Sequence, residues 1–507
     1  MAKKVSFEKE ALDEMLIGMR TVTSAVGKTI GPRGTNVFVD NATTPRFTND
    51  GARIAHEIAP LENNLQNAGA WVARNACAQT NDDAGDGTTT TLVLLQAVVD
   101  ECLKRPENRT QIMHSLLEAK KKAIDLLKKQ SKQITQKDII NVARISAENE
   151  ELAQLVTEVV KKVGAKTIIT VEDRQDGFES DYKLVQGYEA HVGFMSPYFR
   201  NDQTRARAVH TDIHVLVTRR KIGNLNDLTE ISKTLEKEKI SNLVIVGEEI
   251  DEKMVGVFVK TNMMGAMNLL AIKATGPLLE DIAAAVGATL IDDAVGITFD
   301  TMDKKHLGFA AKVICDEKNT IFTSGATSAH KHAKRLEAFA AENPNGFEKK
   351  RLLERAQKLK GGIAVIRIGA HTDAERNYLK DKAEDTIHAV QSALEEGVVE
   401  GGGIALYRIA QQLTRSISIG ESIIRMALKA PIKQIIENAG GDYTEIISHL
   451  PPKQGYDAKK DCYSDFFKEG ILDPTKVERA AMENAISTAA HFITTHAAIV
   501  EVPEEKK

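Results

Sequence analysis

Residues 81–95 read NDDAGDGTTTTLVLL, a stretch that sets one acid between two glycines and then begins an apolar run. Glycines tolerate the backbone angles of a tight turn, so Gly85 and Gly87 can bring backbone N–H groups to one side. The threonines that follow start a predicted helix whose positive N-terminus faces the same turn. The pattern favours a phosphate, with Asp86 holding Mg²⁺ against phosphate oxygens. An Asp-Gly turn followed by an N-capping threonine explains this run alone equally well.

Length and composition indicate an ordinary multidomain protein. The 507 residues exceed the size of a single core, and about three domains are expected. No run of roughly eighteen apolar residues occurs, so we expect no membrane span. The net charge of -4 gives no footprint for nucleic acid. The charged N-terminal segment MAKKVSFEKE lacks the apolar core of a signal peptide, and we expect a cytoplasmic protein.

The cysteines and histidines give no sign of a zinc site or a disulfide framework. The four cysteines lie far apart without a CxxC pair, and the 13 histidines include no HExxH motif. We therefore expect isolated reduced thiols and assign no histidine to a metal.

The hydrophobic pattern changes twice along the chain. Residues 11–26 carry apolar side chains at helical spacing, and the segment after the threonines of the opening stretch does the same. After Lys129, short apolar runs such as LVIVGEE (243–249) and LLAIKA (269–274) alternate with helical segments, which predicts an α/β domain with a partly parallel sheet. Helices return beyond Gly361. The two ends are therefore predicted to form one discontinuous helical domain around an inserted middle.

A second glycine stretch, VGKTIGPRG at 26–34, contains Gly-Lys-Thr and invites comparison with a Walker A loop. The GxxxxGK[ST] spacing requires a glycine where Val22 stands inside an apolar helix, so the P-loop and a small-molecule kinase are both disfavoured. The alternative is a helix end that forms a tight wall near a nucleotide, built by Thr29, Ile30, Gly31 and Pro32.

A third glycine stretch, EGGGIA at 400–405, allows close backbone approach to a ligand, although a simple turn explains it as well. Asp385 precedes it in KAEDTIHAVQSALEEG, a segment with helical spacing. A lone aspartate on a helix is usually solvated. A phosphate site nearby would make Asp385 a candidate to orient an attacking water.

Five motifs occur together in the order in which group I chaperonins carry them: TIGPRG (29–34), TNDG (48–51), GDGTTT (85–90), EEGVVEGGG (395–403) and GILDPTK (470–476). The chain resembles a divergent GroEL-type chaperonin from Phe7 to Val502. The resemblance implies an α/β multidomain fold. A mainly helical equatorial ATPase domain (1–128 and 396–507) and a small intermediate domain (129–185 and 364–395) would flank an α/β apical polypeptide-binding domain inserted in the middle (186–363).

The resemblance also implies roles for single residues. Asp86 would ligate Mg²⁺, Asp50 would lie beside the terminal phosphate and the attacking water, and Asp385 would activate that water when the subunit closes. Thr29 and Thr90 match a K⁺ site of the family. The residues expected around ATP are Thr29, Ile30, Gly31, Pro32, Asp86, Gly87, Thr88, Thr89, Thr90, Ile145, Ser146, Gly402, Asp457 and Asp473.

The function implied is that of an ATP-hydrolysing chaperone that binds non-native polypeptides. Identical subunits would form a ring, with seven subunits in each ring, and a GroES-like co-chaperonin is a candidate partner. Apolar apical side chains would bind the polypeptide, and core packing is the alternative for each of them: Phe194, Tyr198, Phe199, Val255, Phe258 and Val259.

Some positions depart from the family pattern. Asn49 stands where a lysine is usual, and Asp457 stands where an asparagine is expected near the adenine. Thr229 and Ser232 lie near positions expected to hold leucines. These departures motivate a second hypothesis, a nonenzymatic ring scaffold or polypeptide-binding protein with a degenerate ATP cycle. The presence of Asp50, Asp86 and Asp385 together favours the ATPase.

Overall fold

The computed structural model describes residues 2–40, 46–58, 60–164, 167, 169–174, 177–202, 205–342, 346–413 and 418–502. They belong to two compact units. The first consists of Met1–Ala165, Val171–Asp181 and Arg367–Lys507, and the second of Lys166–Thr170 and Tyr182–Ile366. The further division of the first unit into equatorial and intermediate domains stays a prediction. Among the helices of the described ranges, none has the length and hydropathy of a transmembrane span.

The N-terminal part of the chain is mainly helical. Its elements are β1 (Ala2–Phe7), α1 (Glu8–Gly27), β2 (Val37–Val39), β3 (Arg46–Thr48), α2 (Gly51–Ile58), α3 (Asn64–Ala84), α4 (Thr88–Leu103), α5 (Arg109–Gln130), α6 (Gln136–Ala147) and α7 (Glu150–Val163). The apolar face predicted for α1 is buried from Leu12 to Val26. The face predicted for α4, which includes Leu92, Leu95 and Val99, is buried as well. Both predicted helices are thereby confirmed.

The middle of the chain alternates strands and helices. Its elements are β4 (Ile169–Asp173), β5 (Asp181–Ala190), β6 (Ala208–Thr218), α8 (Leu225–Glu238), β7 (Asn242–Gly247), α9 (Glu252–Met263), β8 (Asn268–Lys273), α10 (Pro277–Val286), β9 (Gly308–Cys315), β10 (Thr320–Thr323), α11 (Ser328–Glu342), α12 (Gly346–Lys360) and β11 (Gly362–Ile368). The eight strands form one sheet in the order β4-β11-β5-β10-β9-β6-β7-β8. The strands β6, β7 and β8 are parallel, which confirms the predicted α/β domain with a partly parallel sheet.

The C-terminal part returns to helices. Its elements are α13 (Asp373–Glu396), β12 (Val398–Glu400), α14 (Ile404–Gln412), α15 (Ile419–Ala427), α16 (Ala430–Asn438), α17 (Tyr443–Ser448), β13 (Gly455–Asp457), β14 (Cys462–Ser464), α18 (Phe466–Glu469), β15 (Leu472–Pro474), α19 (Thr475–Phe492) and β16 (Ala497–Val502). The last strand pairs antiparallel with β1, so that Lys3 lies opposite Glu501. The two ends of the chain therefore belong to one helical unit, as predicted.

Two glycines allow α1 and α3 to pack backbone against backbone. A Cβ atom at Gly18 would lie 1.7 Å from the carbonyl oxygen of Gln66, and one at Gly69 would lie 1.7 Å from that of Met15. Any side chain at either position would force the helices apart. The contact matters because α1 leads into the 27–34 loop and α3 leads into the 85–87 loop.

Candidate nucleotide-binding site

The loop between α3 and α4 leaves backbone N–H groups without partners inside the helix. Gly85 ends α3 at φ +70°, and its N–H donates to the carbonyl of Asn81 at 2.8 Å. Gly87, at φ +84°, is the N-cap of α4, and its carbonyl accepts from the N–H of Thr91 at 3.0 Å. The N–H groups of residues 88–90 therefore have no acceptor within α4. A helix end of this kind attracts an anion.

The start of α4 tests one of the two explanations of GDGTTT, the N-capping threonine. Thr88 is the first residue of the helix, the N-cap is Gly87, and no side chain in the described ranges caps it. The explanation by an N-capping threonine is therefore wrong. Asp86 accepts from the N–H of Gly87 through Oδ1 at 2.6 Å. Burial raises the pKa of Asp86, the Gly87 N–H and the charge of Lys382 oppose the shift, and the charge of Asp50 adds to it.

Helix α13 packs on this loop with the face that carries Asp385. A Cβ atom at Gly85 would lie 2.2 Å from Cγ of His388, and Oγ of Ser392 donates to the carbonyl of Ala84 at 3.2 Å. Asp385, His388 and Ser392 follow the spacing i, i+3 and i+7, which places them on one face of a helix. The structure thus brings Asp385 to the same loop as Asp86.

Asp50 lies at the N-terminus of α2, beside the start of α4. Its Oδ1 accepts from the N–H of Ala52 at 2.9 Å, and its own N–H donates to Oγ1 of Thr48 at 3.2 Å. A Cβ atom at the next residue, Gly51, would lie 2.6 Å from Oγ1 of Thr89. The turn that holds Asp50 therefore lies directly against the first turn of α4.

The end of α1 contributes Thr29 to the same region. Its Oγ1 donates to the carbonyl of Val26 at 2.8 Å and lies 3.4 Å from Oγ1 of Thr89. The predicted K⁺ pair joined Thr29 to Thr90, whereas the contact in the structure joins Thr29 to Thr89. Carbonyl and hydroxyl oxygens of this kind suit a hard cation.

The wall formed by residues 27–34 is held by an amide from α16. Nδ2 of Asn438 donates to the carbonyls of Gly27 and Ile30, each at 3.0 Å. Gly31 follows at φ +89°, a conformation that favours glycine, and Pro32 is exposed. The two hydrogen bonds from Asn438 therefore fix the backbone of this loop.

The nucleoside end of the predicted site is formed by the paired strands β12 and β15, in which Val399 lies opposite Asp473. The N–H of Gly402 donates to the Asp473 carboxylate. A Cβ atom at Gly401 would lie 2.9 Å from Oδ1 of the same residue. The EGGGIA stretch therefore makes the close approach to Asp473 that its glycines permit.

A residue that the sequence analysis missed completes this end. Glu478 is buried in the first turn of α19, hydrogen-bonds the Asp473 side chain, and has Oε2 without a partner in the described structure. Burial raises the pKa of Asp473 to about 6, and the charge of Asp86 adds to the shift, whereas Glu478 and Gly402 oppose it through hydrogen bonds. Burial and the charge of Asp473 hold the pKa of Glu478 well above its usual value. The sequence signal that could have identified Glu478 is its position in the first turn of the helix that begins within the GILDPTK motif.

The remaining predicted residues lie at the edge of this region. Asp457 is buried in β13, where Oδ1 accepts from the N–H groups of Lys459 at 2.9 Å and Lys460 at 3.2 Å. Its carboxylate thus stabilises a turn, which gives a local reason for an acid at this position. Ile145 and Ser146 lie in the last turn of α6, a helix that contacts α13 and β15, and Ile145 is exposed.

The carboxylates of the candidate site suit a metal ion that takes most of its ligands from a nucleotide and from water. Within the described ranges, no group of three or more His, Cys, Asp or Glu side chains could hold a metal ion. Mg²⁺ is usually bound through one or two carboxylates together with phosphate oxygens and water. A single carboxylate from Asp86, beside the open amides of α4, therefore fits Mg²⁺ that arrives with a nucleotide.

The predicted polypeptide-binding residues divide into two groups. Tyr198 is 74% exposed, and Val259 is partly buried. The others belong to the core of the second unit, as in the alternative given for them: Phe194, Phe199, Val255 and Phe258. Thr229 is exposed on α8, and Ser232 is half-buried.

The chain belongs to the TCP-1/cpn60 chaperonin family, whose model matches residues 22–503. Two solved structures similar to it are of the chaperonin gp146 from the bacteriophage EL 2 (Pseudomonas aeruginosa), crystallised in two forms in the presence of ATP-BeFx. One is 18% identical, with a TM-score of 0.63, over 98% of this chain and 99% of that chain. The other is 19% identical, with a TM-score of 0.61 and the same coverage.

The family and the fold inferred from the five motifs are thereby confirmed. At these identities, the likeness to gp146 concerns the fold alone. Membership of the chaperonin family supports a chaperone role, with nucleotide binding, polypeptide binding and assembly into a ring.

Proposed function

We propose that this protein is a chaperone that hydrolyses ATP to promote the folding of bound polypeptides. The observation that carries the proposal is the packing of α13 on the 85–87 loop and the adjoining end of α3, which brings the helix face with Asp385 to Asp86 and the open amides of α4. The sequence separates these residues by about 300 positions, so their meeting is a property of the fold. A site that had lost hydrolysis would be expected to lack at least one of Asp50, Asp86 and Asp385, and all three are present.

Each part of the site has a distinct task in this proposal. The N–H groups of residues 88–90 bind phosphate oxygens, because the helix leaves them without acceptors. Asp86 holds Mg²⁺, which when bound supplies positive charge to the phosphates. Asp50 and Asp385 orient the attacking water, and Asp385 accepts its proton. Thr29 provides oxygens for K⁺, together with Thr90 or with Thr89, its neighbour in the structure.

The nucleoside is held at the other end. Gly402 leaves room for it, and Asp473 accepts from the ribose hydroxyls through a carboxylate fixed by the Gly402 N–H. Asp457, Ile145 and Ser146 border the base. A carboxylate cannot donate to adenine as an amide does, and Oδ1 of Asp457 already accepts from backbone N–H groups, so Asp457 contributes here by stabilising the turn beside the base.

The second unit binds the polypeptide in this proposal. Exposed apolar side chains are available there, including Tyr198, Leu225, Met263 and Met264. Family membership supports a ring of identical subunits, for which we propose seven subunits per ring, a GroES-like co-chaperonin and a cytoplasmic location. Because four of the predicted contact residues are buried, a scaffold that binds few clients is the second candidate.

The test is client refolding with ATP, with ADP, and with ATP plus EDTA, while phosphate release is read in the same samples. We expect refolding and phosphate release with Mg²⁺ and ATP only. Asp385→Ala should lose phosphate release, and Asp373→Ala is its matched control, since Asp373 lies on the same helix but its side chain is 90% exposed. Polypeptide binding without phosphate release would favour the scaffold, and transfer of phosphate to a metabolite would favour a kinase.

A further inference from the structure

One face of α13 carries a lysine as well as Asp385. Tyr378, Lys382 and Asp385 follow the spacing i, i+4 and i+7, so the three side chains share the helix face that packs toward the site. The sequence alone indicated no role for this lysine. Because Lys382 lies one turn before Asp385, its contacts show whether it can act in the same site.

Lys382 is a largely buried cation among acids. Its side chain is 13% exposed, and Nζ donates to Oε1 of Glu148 at 2.7 Å. It also lies within electrostatic range of Asp385 and Asp86. Burial alone would lower the pKa of Lys382, but the charges of Glu148 and Asp385 outweigh burial and hold the pKa above its usual value, so the ammonium stays charged.

The partner of Lys382 is replaceable. The Glu148 side chain is 47% exposed, so water can solvate it when the lysine moves away. The long, flexible stem of a lysine allows Nζ to change partners without movement of the helix. Phosphates entering among Asp50, Asp86 and Asp385 would add negative charge and would attract the ammonium.

Asn49 lies close to the same helix face. Its amide hydrogen-bonds the hydroxyl of Tyr378, which lies one turn before Lys382. The uncharged Asn49 therefore stands beside Asp50, at a position where group I chaperonins usually have a lysine. The positive charge of this region comes from α13 instead.

We propose that Lys382 exchanges Glu148 for the terminal phosphate of the bound nucleotide and is the lysine that this chain uses in place of one at position 49. The inference rests on the proposed function, because it assigns a ligand atom to the same site. It concerns the terminal phosphate only, so nucleoside diphosphates are bound without Lys382.

The test compares the affinities of AMP-PNP and ADP for wild type and Lys382→Met. We expect AMP-PNP to bind about 10- to 100-fold more weakly to the variant, because a charged hydrogen bond is lost, whereas ADP changes less than about threefold. Lys380→Met is the matched control, since this lysine pairs with Asp173 at 2.9 Å. It should bind both nucleotides like wild type.

Three further variants separate a phosphate contact from a purely structural ion pair. Glu148→Gln frees Lys382 and should bind AMP-PNP at least as tightly as wild type, whereas a structural pair predicts the same loss as in Lys382→Met. Asn49→Lys introduced into Lys382→Met should recover part of the AMP-PNP affinity. Lys382→Arg, which keeps the charge and the helix packing, guards against misfolding and should also retain part of it.

An equal loss for both nucleotides, or unchanged AMP-PNP binding in Lys382→Met, would overturn the inference while leaving the ATPase proposal standing. Failure of wild type to bind either nucleotide would refute the proposed function itself.

Discussion

Arg53 and Asp381 form an ion pair of 2.9 Å that joins α2 to α13, with side chains only 13% and 15% exposed. Arg53 lies three residues after Asp50, and Asp381 lies one helical turn before Asp385. The pair therefore links the two helices that supply the acids proposed to orient the attacking water. The position of Asp385 depends on contacts that lie outside the site itself.

Replacing Arg53 by Met tests this link. The change removes the arginine partner of Asp381, a largely buried acid, which should lower the free energy of unfolding measured in urea by about 1–3 kcal/mol and loosen α13 over the 85–87 loop. Hydrolysis should fall because Asp385 is then held less firmly. Lys104→Met breaks the exposed pair with Glu101 and should change the free energy by less than about 0.5 kcal/mol. Equal effects of the two variants would refute the link.

Gly87→Ala tests the geometry of the loop. Gly87 has φ +84°, and a Cβ atom there would lie 2.6 Å from Cγ1 of Val477. The variant must both strain the backbone and shift the side chain of Val477 on α19, so nucleotide affinity should fall at least about tenfold. Isothermal titration with ADP measures it.

Gly440→Ala is the control for backbone strain. Gly440 has φ +82°, but nothing lies within 4 Å of its Cβ position. This variant should lose about 1–2 kcal/mol of stability from strain alone and keep its nucleotide affinity. If it lost affinity as Gly87→Ala does, the close contact with Val477 would not be the cause.

The pair of Asp473 and Glu478 predicts a pH dependence of stability. Both pKa values are raised in the folded protein, that of Asp473 to about 6, so the folded state binds more protons than the unfolded state. Stability from these groups is fully present below about pH 4 and is lost as the pH rises through about 6 and beyond. Glu478→Gln keeps a donor to Asp473 but removes one acid, and should reduce this loss by roughly 1–3 kcal/mol.

Glu483→Gln provides the comparison for that measurement. Glu483 lies on the same helix and pairs with Arg479 at 2.8 Å. Urea unfolding at several pH values between about 5 and 8 should give the wild-type slope for Glu483→Gln and a flatter one for Glu478→Gln. A wild-type slope in both variants would show that the buried pair does not titrate in this range.

Two aromatic residues of the second unit should respond differently to substitution. Tyr198→Ser should weaken binding of an unfolded client without a change in stability, because Tyr198 is 74% exposed. Phe258→Ala should lower stability by about 3–5 kcal/mol, because Phe258 is 2% exposed in the core. Client binding measured by light scattering and unfolding measured by circular dichroism distinguish the two. A stability loss in Tyr198→Ser would contradict the assignment.

The sequence predicted those helices and strands whose apolar periodicity lies within the element itself. The apolar spacing of α1 and α4 and the strands β7 and β8 were predicted because each element is periodic by itself. The five motifs predicted the family because their order along the chain is specific.

Residues whose role depends on distant neighbours were not predictable in this way. Glu478 and Lys382 are an acid and a base on helices, and only folding sets one against Asp473 and the other against Glu148. Likewise, the spacing of Val255 and Phe258 on α9 is the same for a core face and for a binding face, so sequence could not decide between them. The N-cap of α4 was undecided because glycine and threonine are both common there.

The most direct test of the central claim is single-turnover ATP hydrolysis by wild type and Asp385→Asn, together with their ATP affinities. Asparagine keeps the size of the side chain but cannot accept the proton of the attacking water. We predict ATP affinity within about threefold of wild type and a hydrolysis rate lower by about 100-fold or more. A wild-type protein that hydrolyses no ATP, or an Asp385→Asn variant that hydrolyses it as fast as wild type, would contradict the account.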